Sequence, residues 1–268
     1  MIRQPAVAGM FYPGDAVQLR RQVESMIPPA QSEVPVLGIV APHAGYIYSG
    51  ACAGRAWSGV IPKDTVVVLG VNHRGSGAPL AVDNHEAWRT PLGDVSVDLE
   101  LAEMLAGEAP IFTLDDRAGL EEHSLEVQVP FIQVISPRVA ILPIVVGAVD
   151  LETVLEAGRM LAGILFSRRP NLTLVASTDM SHYIRAEEAQ RLDRRAIDRI
   201  LALDPEGLFR EVVGKRISMC GVAPTVMLLA AAREIGATRV EEVCYTHSGI
   251  VTGDDSEVVA YWSGRILR

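Results

Sequence analysis

Four short runs of branched aliphatic residues determine which kind of sheet this chain can form. They occupy residues 36–41, 65–69, 139–146 and 172–177. Each run is rich in Val, Ile or Leu, and none alternates apolar with polar residues, which is typical of strands buried on both faces. Such strands belong to parallel sheets, because the crossover helices of a parallel sheet cover both of its faces.

Segments with helical periodicity lie between these runs, at residues 98–106, 151–166 and 186–203. Strand alternating with helix predicts an α/β fold, with a mainly parallel central sheet and helices on both faces. The later residues 240–247 and 257–267 have the pattern of two strands, and the turn-rich segment GIVTGDDS joins them. We predict that this late pair is antiparallel. No repeat or linker is evident, so we expect residues 1–268 to form a single domain.

Charge and composition exclude several classes of partner. The net charge is −9 and the 24 Lys and Arg are scattered, so no basic stripe for nucleic acid is present. The longest uncharged stretch, residues 34–54, is interrupted by Pro35 and Pro42 and does not predict a membrane helix. The three Cys form no CxxC pair and the first residues lack a signal-peptide pattern, which predicts a cytoplasmic protein.

Polar residues follow three of the four predicted strands. His43 follows the first run, His73 follows the second, and Asp179 and His182 follow the fourth. Ligands of open α/β sheets bind beyond the carboxyl ends of the strands, where loops are free to carry polar groups. We therefore expect these side chains to share one site at that edge of the sheet.

Cys220 lies immediately before a long apolar segment in which Pro224 fits the first turn of a helix. A thiol at a helix N-terminus is expected to have a lowered pKa, which would make it a metal ligand or a nucleophile. The alternative is a small buried apolar side chain, which is the interpretation we favour for Cys52 and Cys244.

His123 lies in the segment EEHSLE, where an acidic loop leads into an apolar stretch. A histidine beside carboxylates can act as an acid or base, or it can belong to a solvated helix start. We interpret His85 and His247 as structural. No glycine motif has the spacing of a dinucleotide-binding or phosphate-binding loop, so nucleotide binding has no support.

Seven motifs in order along the chain resemble those of the Memo family, known in microbes as AmmeMemoRadiSam system protein B. They are FYPGD, APHAGYIYSG, LGVNHRG, WRTPLGD, EEHSLEVQVPF, STDMSHY and MCGVAP. The resemblance implies the fold of the class III extradiol dioxygenases, which are non-haem iron enzymes. It also implies that His43, His73 and Cys220 are metal ligands, that Asp179 and His182 lie close by, and that other AmmeMemoRadiSam proteins are candidate partners.

The resemblance includes one chemical departure from the dioxygenases. Those enzymes use two histidines and a carboxylate, whereas Cys220 offers a thiolate at the third position. A carboxylate suits Fe(II), while a softer thiolate shifts preference towards Cu(I) or Zn. We expect Fe(II) as the first-choice metal, with Cu(I) or Zn as alternatives.

Four functional hypotheses follow. The leading one is a metal-binding redox protein, dioxygenase-like, that acts on a small molecule, with His182 as acid or base, Asp179 as its orienting group or a further ligand, and His123 as second choice. A zinc hydrolase with the same ligands is the second. The third is a metal-free enzyme with Cys220 as nucleophile and His182 as base. The fourth is a non-catalytic module that binds a peptide or partner protein in the same crevice.

Overall fold

The computed structural model describes residues 1–268, which form twelve strands and ten helices. The strands are β1 (Ile2–Arg3), β2 (Gly38–Ala41), β3 (Val66–Val71), β4 (Leu80–Val82), β5 (Ala87–Thr90), β6 (Gly93–Ser96), β7 (Thr113–Leu114), β8 (Ile141–Val146), β9 (Thr173–Ser177), β10 (His182–Ile184), β11 (Arg239–His247) and β12 (Val258–Leu267). The helices are α1 (Ala16–Met26), α2 (Tyr46–Trp57), α3 (Leu99–Glu108), α4 (His123–Glu126), α5 (Val129–Ile135), α6 (Leu151–Arg168), α7 (Ala186–Leu201), α8 (Pro205–Lys215), α9 (Val222–Glu234) and α10 (Gly249–Thr252).

A nine-stranded mixed sheet occupies the centre of the fold. Its strand order is β10-β12-β2-β9-β3-β8-β4-β7, and β11 also pairs with β12. The four predicted inner strands are β2, β3, β8 and β9, and the pairs β2–β9, β9–β3 and β3–β8 are all parallel. The outer strand β12 runs antiparallel to β2, β10 and β11. The predicted α/β fold is confirmed, with parallel inner strands and a late antiparallel pair, and the sheet as a whole is mixed because β4 also runs antiparallel to β8.

Helices cover both faces of this sheet. Along β3, Val67 and Leu69 belong to a core of 43 buried residues on one face, whereas Val66 and Val68 belong to a core of 26 on the other. The first core includes residues of α3, α6, α7, α8 and α9, and the second includes residues of α1, α2 and α5. This two-sided burial is the reason that the strands lack period-two alternation.

The three predicted helices are present as α3, α6 and α7. α3 begins after Asp98 and α6 begins after Asp150, and each carboxylate accepts a hydrogen bond from a main-chain N–H in the first turn. These N-caps satisfy donors that have no partner inside the helix. No helix in the structure has the length and apolar character needed to cross a bilayer.

The segment that precedes α1 contacts the short helix α4, which begins at His123. A small sheet of order β1-β5-β6 holds this segment, and the buried Arg3 on β1 forms an ion pair with the buried Glu126 at 2.6 Å. Arg3 also donates to the main-chain carbonyl of Glu122 at 2.8 Å. These contacts fix the position of residues 122–126 against the central sheet.

Candidate metal centre

Three neighbouring strands carry predicted site residues at their carboxyl ends. His43 follows β2, His73 follows β3, and Asp179 follows β9, which lies between β2 and β3. Paired strands are about 4.8 Å apart, so the loops that leave them are close enough for their side chains to meet. The structure thus brings all three residues to one edge of the sheet.

Three histidines form a cluster at this edge. One ring nitrogen from each of His43, His73 and His123 lies within 4.8 Å of the other two. The rings of His73 and His123 stack with centroids 4.7 Å apart, and the ring of His43 lies edge-on to both. Nitrogen ligands of a tetrahedral ion are roughly 3.4 Å apart. Small side-chain movements would therefore let the three nitrogens share one ion.

Ser177 determines which nitrogen of His43 carries the proton. The Ser177 hydroxyl donates its only hydrogen to the carbonyl of Ser124 at 2.6 Å and accepts from Nε2 of Gln128 at 2.9 Å. Because that hydrogen is already donated, Nδ1–H of His43 must donate to the hydroxyl oxygen at 3.1 Å. Burial, followed by the nearby charge of His73, lowers the pKa of His43 to about 3. His43 is thus neutral, with its lone pair on Nε2.

Glu122 determines which ring nitrogen of His73 carries hydrogen. Its buried carboxylate accepts from Nδ1 of His73 at 2.9 Å and from the main-chain N–H of His73 at 2.7 Å. Burial alone would raise the pKa of Glu122, but hydrogen bonds from His73 and Ser124 lower it to about 2. An ionised carboxylate only accepts, so Nδ1 of His73 carries hydrogen, and in the neutral ring the lone pair is on Nε2.

His123, predicted as an acid or base, lies among the predicted metal ligands. Its Nδ1 is 3.5 Å from the Glu122 carboxylate, and Phe11 packs against its ring with centroids 4.8 Å apart. Burial, followed by the charge of His43, lowers the pKa of His123 to about 4. These surroundings favour a neutral imidazole, which is the form that binds metal. Its predicted acid–base role stays a prediction.

Cys220 contacts His43 but lies outside the group of three mutually close histidines. Its Sγ is 3.2 Å from Nε2 of His43 and accepts a hydrogen bond from the main-chain N–H of Asp179 at 3.3 Å. Burial, followed by the charge of Asp179, raises the pKa of Cys220 to about 12. The expectation that the start of α9 would lower this pKa is therefore wrong. Cys220 is a thiol that donates to the free lone pair of His43.

Asp179 supports the main chain of the His43 loop. Its Oδ1 accepts from the backbone N–H of His43 at 2.7 Å, and burial raises its pKa. The carboxylate makes no hydrogen bond to His182. The idea that Asp179 orients His182 therefore finds no contact in the structure, whereas a role in fixing His43 does.

His182 lies near the cluster with its own tautomer fixed. Its Nδ1 donates to the main-chain carbonyl of Ser218 at 2.9 Å, so in the neutral ring the lone pair is on Nε2. When the His182 ring is protonated, its charge contributes to the lowered pKa of His43. The neighbouring Ser181 donates from its N–H and its hydroxyl to the buried carboxylate of Asp193, at 3.1 and 2.6 Å. Its other neighbour, Tyr183, adopts a left-handed backbone with φ of 57°.

Sequence reasoning missed the residues that hold the histidines. Glu122 was visible as the acidic neighbour of His123, yet its main partner is His73 on another loop. Ser177 is the last residue of β9, and Gln128 precedes α5. Both lie inside quoted motifs, STDMSHY and EEHSLEVQVPF, but neither motif indicated a contact with His43. Other histidines and thiols lie elsewhere, with His85 bonded to Asp83 and with Cys52 and Cys244 on α2 and β11.

An α/β sheet with three histidines and a thiol gathered beyond its inner strands defines a class of candidate metal-binding proteins. A family model described as Memo-like protein matches residues 3–265 of the chain. This chain belongs to the Memo family, as its motifs predicted.

Curated relatives agree with this assignment. A MEMO1 family protein from Methanothermobacter thermautotrophicus is 39% identical over an alignment that covers 97% of this chain and 99% of that relative. A MEMO1 family protein from Aquifex aeolicus is 42% identical over 262 residues, covering 97% of both chains. Among solved structures, an uncharacterized protein from Escherichia coli K12 aligns with a TM-score of 0.50 and 18% identity, over 75% of this chain and 86% of that one. That last similarity concerns the fold alone.

Proposed function

We propose that this protein binds a redox-capable metal ion, with Fe(II) as the first choice, and acts on a small molecule in the crevice beside it. His43 and His73 are the proposed fixed ligands, and Cys220 is the proposed third. The observation that carries the proposal is that each of these two imidazoles has Nδ1 occupied, by Ser177 and by Glu122, so that Nε2 is left as the donor. Such secondary hydrogen bonds are a regular feature of metal-binding histidines.

Two side chains compete to be the third ligand of the proposed metal ion. Cys220 Sγ lies 3.2 Å from Nε2 of His43, close to the spacing of two ligands on one ion, and metal binding would require loss of its proton. His123 belongs to the group of nitrogens within 4.8 Å of one another. A Cys ligand would favour Cu(I) or Zn more than a third imidazole does, so the donor set and the preferred metal are linked.

The surroundings of the cluster fit chemistry on a bound small molecule. Bound Fe(II) would supply Lewis acidity and one-electron redox chemistry. Full burial of His43 keeps water from one side of the cluster, while the side chains of His73 and His123 are 30% and 20% exposed and leave the other side open. His182 is the proposed acid or base, because its free Nε2 can accept a proton from a substrate hydroxyl while Ser218 holds the ring.

Metal analysis tests the proposal directly. Protein purified without oxygen and without a metal-binding affinity tag should contain close to one metal ion per chain by mass spectrometry. The variant His43→Ala should lose it, whereas His85→Ala, a buried histidine bonded to Asp83, should keep it. Parent protein that stays metal-free after incubation with Fe(II), Cu(I) and Zn would refute metal binding.

A zinc hydrolase is the second candidate, and the three-histidine group favours it. Three imidazoles with an open fourth position are a known catalytic zinc arrangement, in which the ion activates a bound water. Zinc at one per chain with no iron in the anaerobic preparation would support this candidate over the first. A metal-free enzyme with Cys220 as nucleophile and His182 as base is less favoured, because burial raises the pKa of the Cys220 thiol to about 12 and that thiol contacts His43.

A further inference from the structure

Two thiols outside the metal centre lie against each other. Cys52 on α2 and Cys244 on β11 form a small buried cluster with Tyr261. Cys52 Sγ is 3.7 Å from the main-chain carbonyl of Cys244, although the two residues are 192 positions apart in the chain. They are only 1% and 8% exposed, so neither thiol is a free surface group. The proposed metal chemistry uses neither of them.

The two thiols have different electrostatic surroundings. Arg55, one turn after Cys52 on α2, places Nη1 3.9 Å from Sγ of Cys244. The hydrogen bond with Cys52, together with the charge of Arg55, lowers the pKa of Cys244 to about 7, against the opposing effects of burial and Glu242. Burial raises the pKa of Cys52. One sulfur is therefore disposed to be a thiolate while its neighbour stays a thiol, which is the division that dithiol oxidation requires.

The backbone at Cys244 is irregular in a way that suits a cross-link. The pairing of β11 with β12 shifts register between Glu242 and Cys244, which marks a bulge in an otherwise continuous antiparallel pair. Bulges re-aim a side chain and loosen the local ladder. A disulfide needs Cα atoms about 4.4 to 6.8 Å apart, so local freedom at one partner helps the two sulfurs to reach bonding geometry.

We propose that Cys52 and Cys244 are a modification site, at which a peroxide-class oxidant forms a reversible disulfide. The Cys244 thiolate attacks one peroxide oxygen, the O–O bond breaks, and Cys244 becomes a sulfenic acid as the released hydroxide takes up a proton to form water. The Cys52 sulfur then attacks the Cys244 sulfur, the S–O bond breaks, and a second water leaves with the Cys52 proton. The net change is two thiols and one hydrogen peroxide to one disulfide and two waters. A dithiol reductant reverses it.

The cross-link would join α2, which begins near the metal centre, to β11, which pairs with the strand that carries Tyr261. α2 begins at Tyr46, three residues after His43. Burial, followed by the nearby charge of Asp179, raises the pKa of Tyr261 in the thiol cluster. Bridging residues far apart in the chain restricts the unfolded state, so the oxidised form should melt at a temperature at least about 5 °C higher.

Peptide mapping tests this proposal independently of metal binding. The full-length chain, stripped of metal with a chelator, is treated with hydrogen peroxide, alkylated under denaturing conditions, digested and analysed by mass spectrometry. We expect a linked peptide pair that contains Cys52 and Cys244, with Cys220 still alkylated, and loss of the link after dithiothreitol. Recovery of both Cys52 and Cys244 as alkylated thiols after peroxide treatment would overturn the proposal.

Two variants test the assigned roles. In Cys52→Ser, peroxide should leave Cys244 as a sulfenic acid that dimedone traps, whereas in Cys244→Ser no dimedone adduct should form at Cys52. Arg55→Leu should slow formation of the disulfide by roughly tenfold or more at pH 7, because less Cys244 is ionised. Arg55→Lys keeps a charge and should be affected less. Circular dichroism checks that each variant folds, and equal rates in the Arg55 variants and the parent would rule out the role of that residue.

Discussion

Replacement of Glu122 by Gln is the sharpest test of how this site is built. The buried carboxylate accepts three hydrogen bonds, from Nδ1 and N–H of His73 and from N–H of Ser124. A Gln side chain of nearly the same shape keeps one acceptor oxygen and replaces the other by a donor. At least one of the three N–H donors then faces the NH₂ group of the Gln side chain and loses its acceptor, which costs about 1–3 kcal/mol in a buried position.

The substitution should weaken metal binding as well as lower folding stability. Without an ionised acceptor at Nδ1, His73 can move its hydrogen to Nε2, which blocks the donor nitrogen. Loss of such a supporting group weakens metal binding by roughly 10- to 100-fold. The pKa of Glu122 falls from 4.5 to about 2 on folding, which corresponds to roughly 3 kcal/mol of stability. Because the folded pKa is the lower one, this contribution is complete above pH 4.5 and is lost as the pH falls towards 2, so the Gln variant should show a flatter acid dependence.

Chelator competition under anaerobic conditions measures metal affinity, and urea unfolding of the metal-free chain measures stability from pH 7 downwards. Glu121→Gln is the matched control, because it removes the same charge from an exposed neighbouring residue without an ion pair. If Glu122→Gln and Glu121→Gln bind metal equally well, and both as tightly as the parent, the argument that Glu122 fixes a ligand tautomer is wrong.

Four further predictions concern single residues of the site. Cys220→Ser should sharply lower metal occupancy, whereas Cys220→Asp should recover Fe(II) binding and lose Cu(I) binding. Cys244→Ser is the control. If Cys220→Ser binds Fe(II), Cu(I) and Zn as the parent and the control do, Cys220 is not a ligand. His123→Asn should cost metal affinity by equilibrium dialysis only if an imidazole, and not the thiol, completes the site. His182→Ala should leave metal content unchanged and abolish turnover, so loss of stoichiometric metal would make His182 a ligand. Gly221→Ala would place Cβ 2.4 Å from the Thr178 side chain and should lower stability by about 1–3 kcal/mol in urea unfolding, with reduced metal content.

The sequence predicted that the site lies at the carboxyl edge of the sheet, but it did not predict the hydrogen bonds that hold the histidines there. The inner strands were predictable because burial on both faces removes polar residues from them, and His43 and His73 followed from their position after such strands. Short strands such as β7, with two residues, have no run long enough to detect. Ser177 and Gln128 act through hydrogen bonds between distant segments, and no local pattern encodes such a contact.

The pKa of Cys220 shows why a correct position still gave a wrong chemical expectation. The thiol does lie just before α9, with Gly221 as the N-cap, so the local geometry was correctly predicted. A helix terminus stabilises a charge by about 0.3–1 kcal/mol. Desolvation of a buried group can shift a pKa by several units, which is larger, and the buried Asp179 adds a like charge. The burial of Cys220 could not be estimated from the sequence, and burial decides whether the pKa of its thiol is raised or lowered.

The histidine cluster also depends on a part of the chain far from the strand ends. Residues 122–126 carry Glu122 and His123, and they are held by the buried Arg3–Glu126 pair rather than by a strand. Glu126 also accepts hydrogen bonds from the main-chain N–H groups of Ala6 and Val7, at 2.8 and 3.0 Å, and from the Tyr12 hydroxyl. A buried ion pair contributes little net stability, yet removal of one partner leaves an unpaired charge in an apolar environment, which costs about 3–5 kcal/mol. The pair therefore specifies one arrangement of this segment, and the orientation of two of the three histidines follows from it.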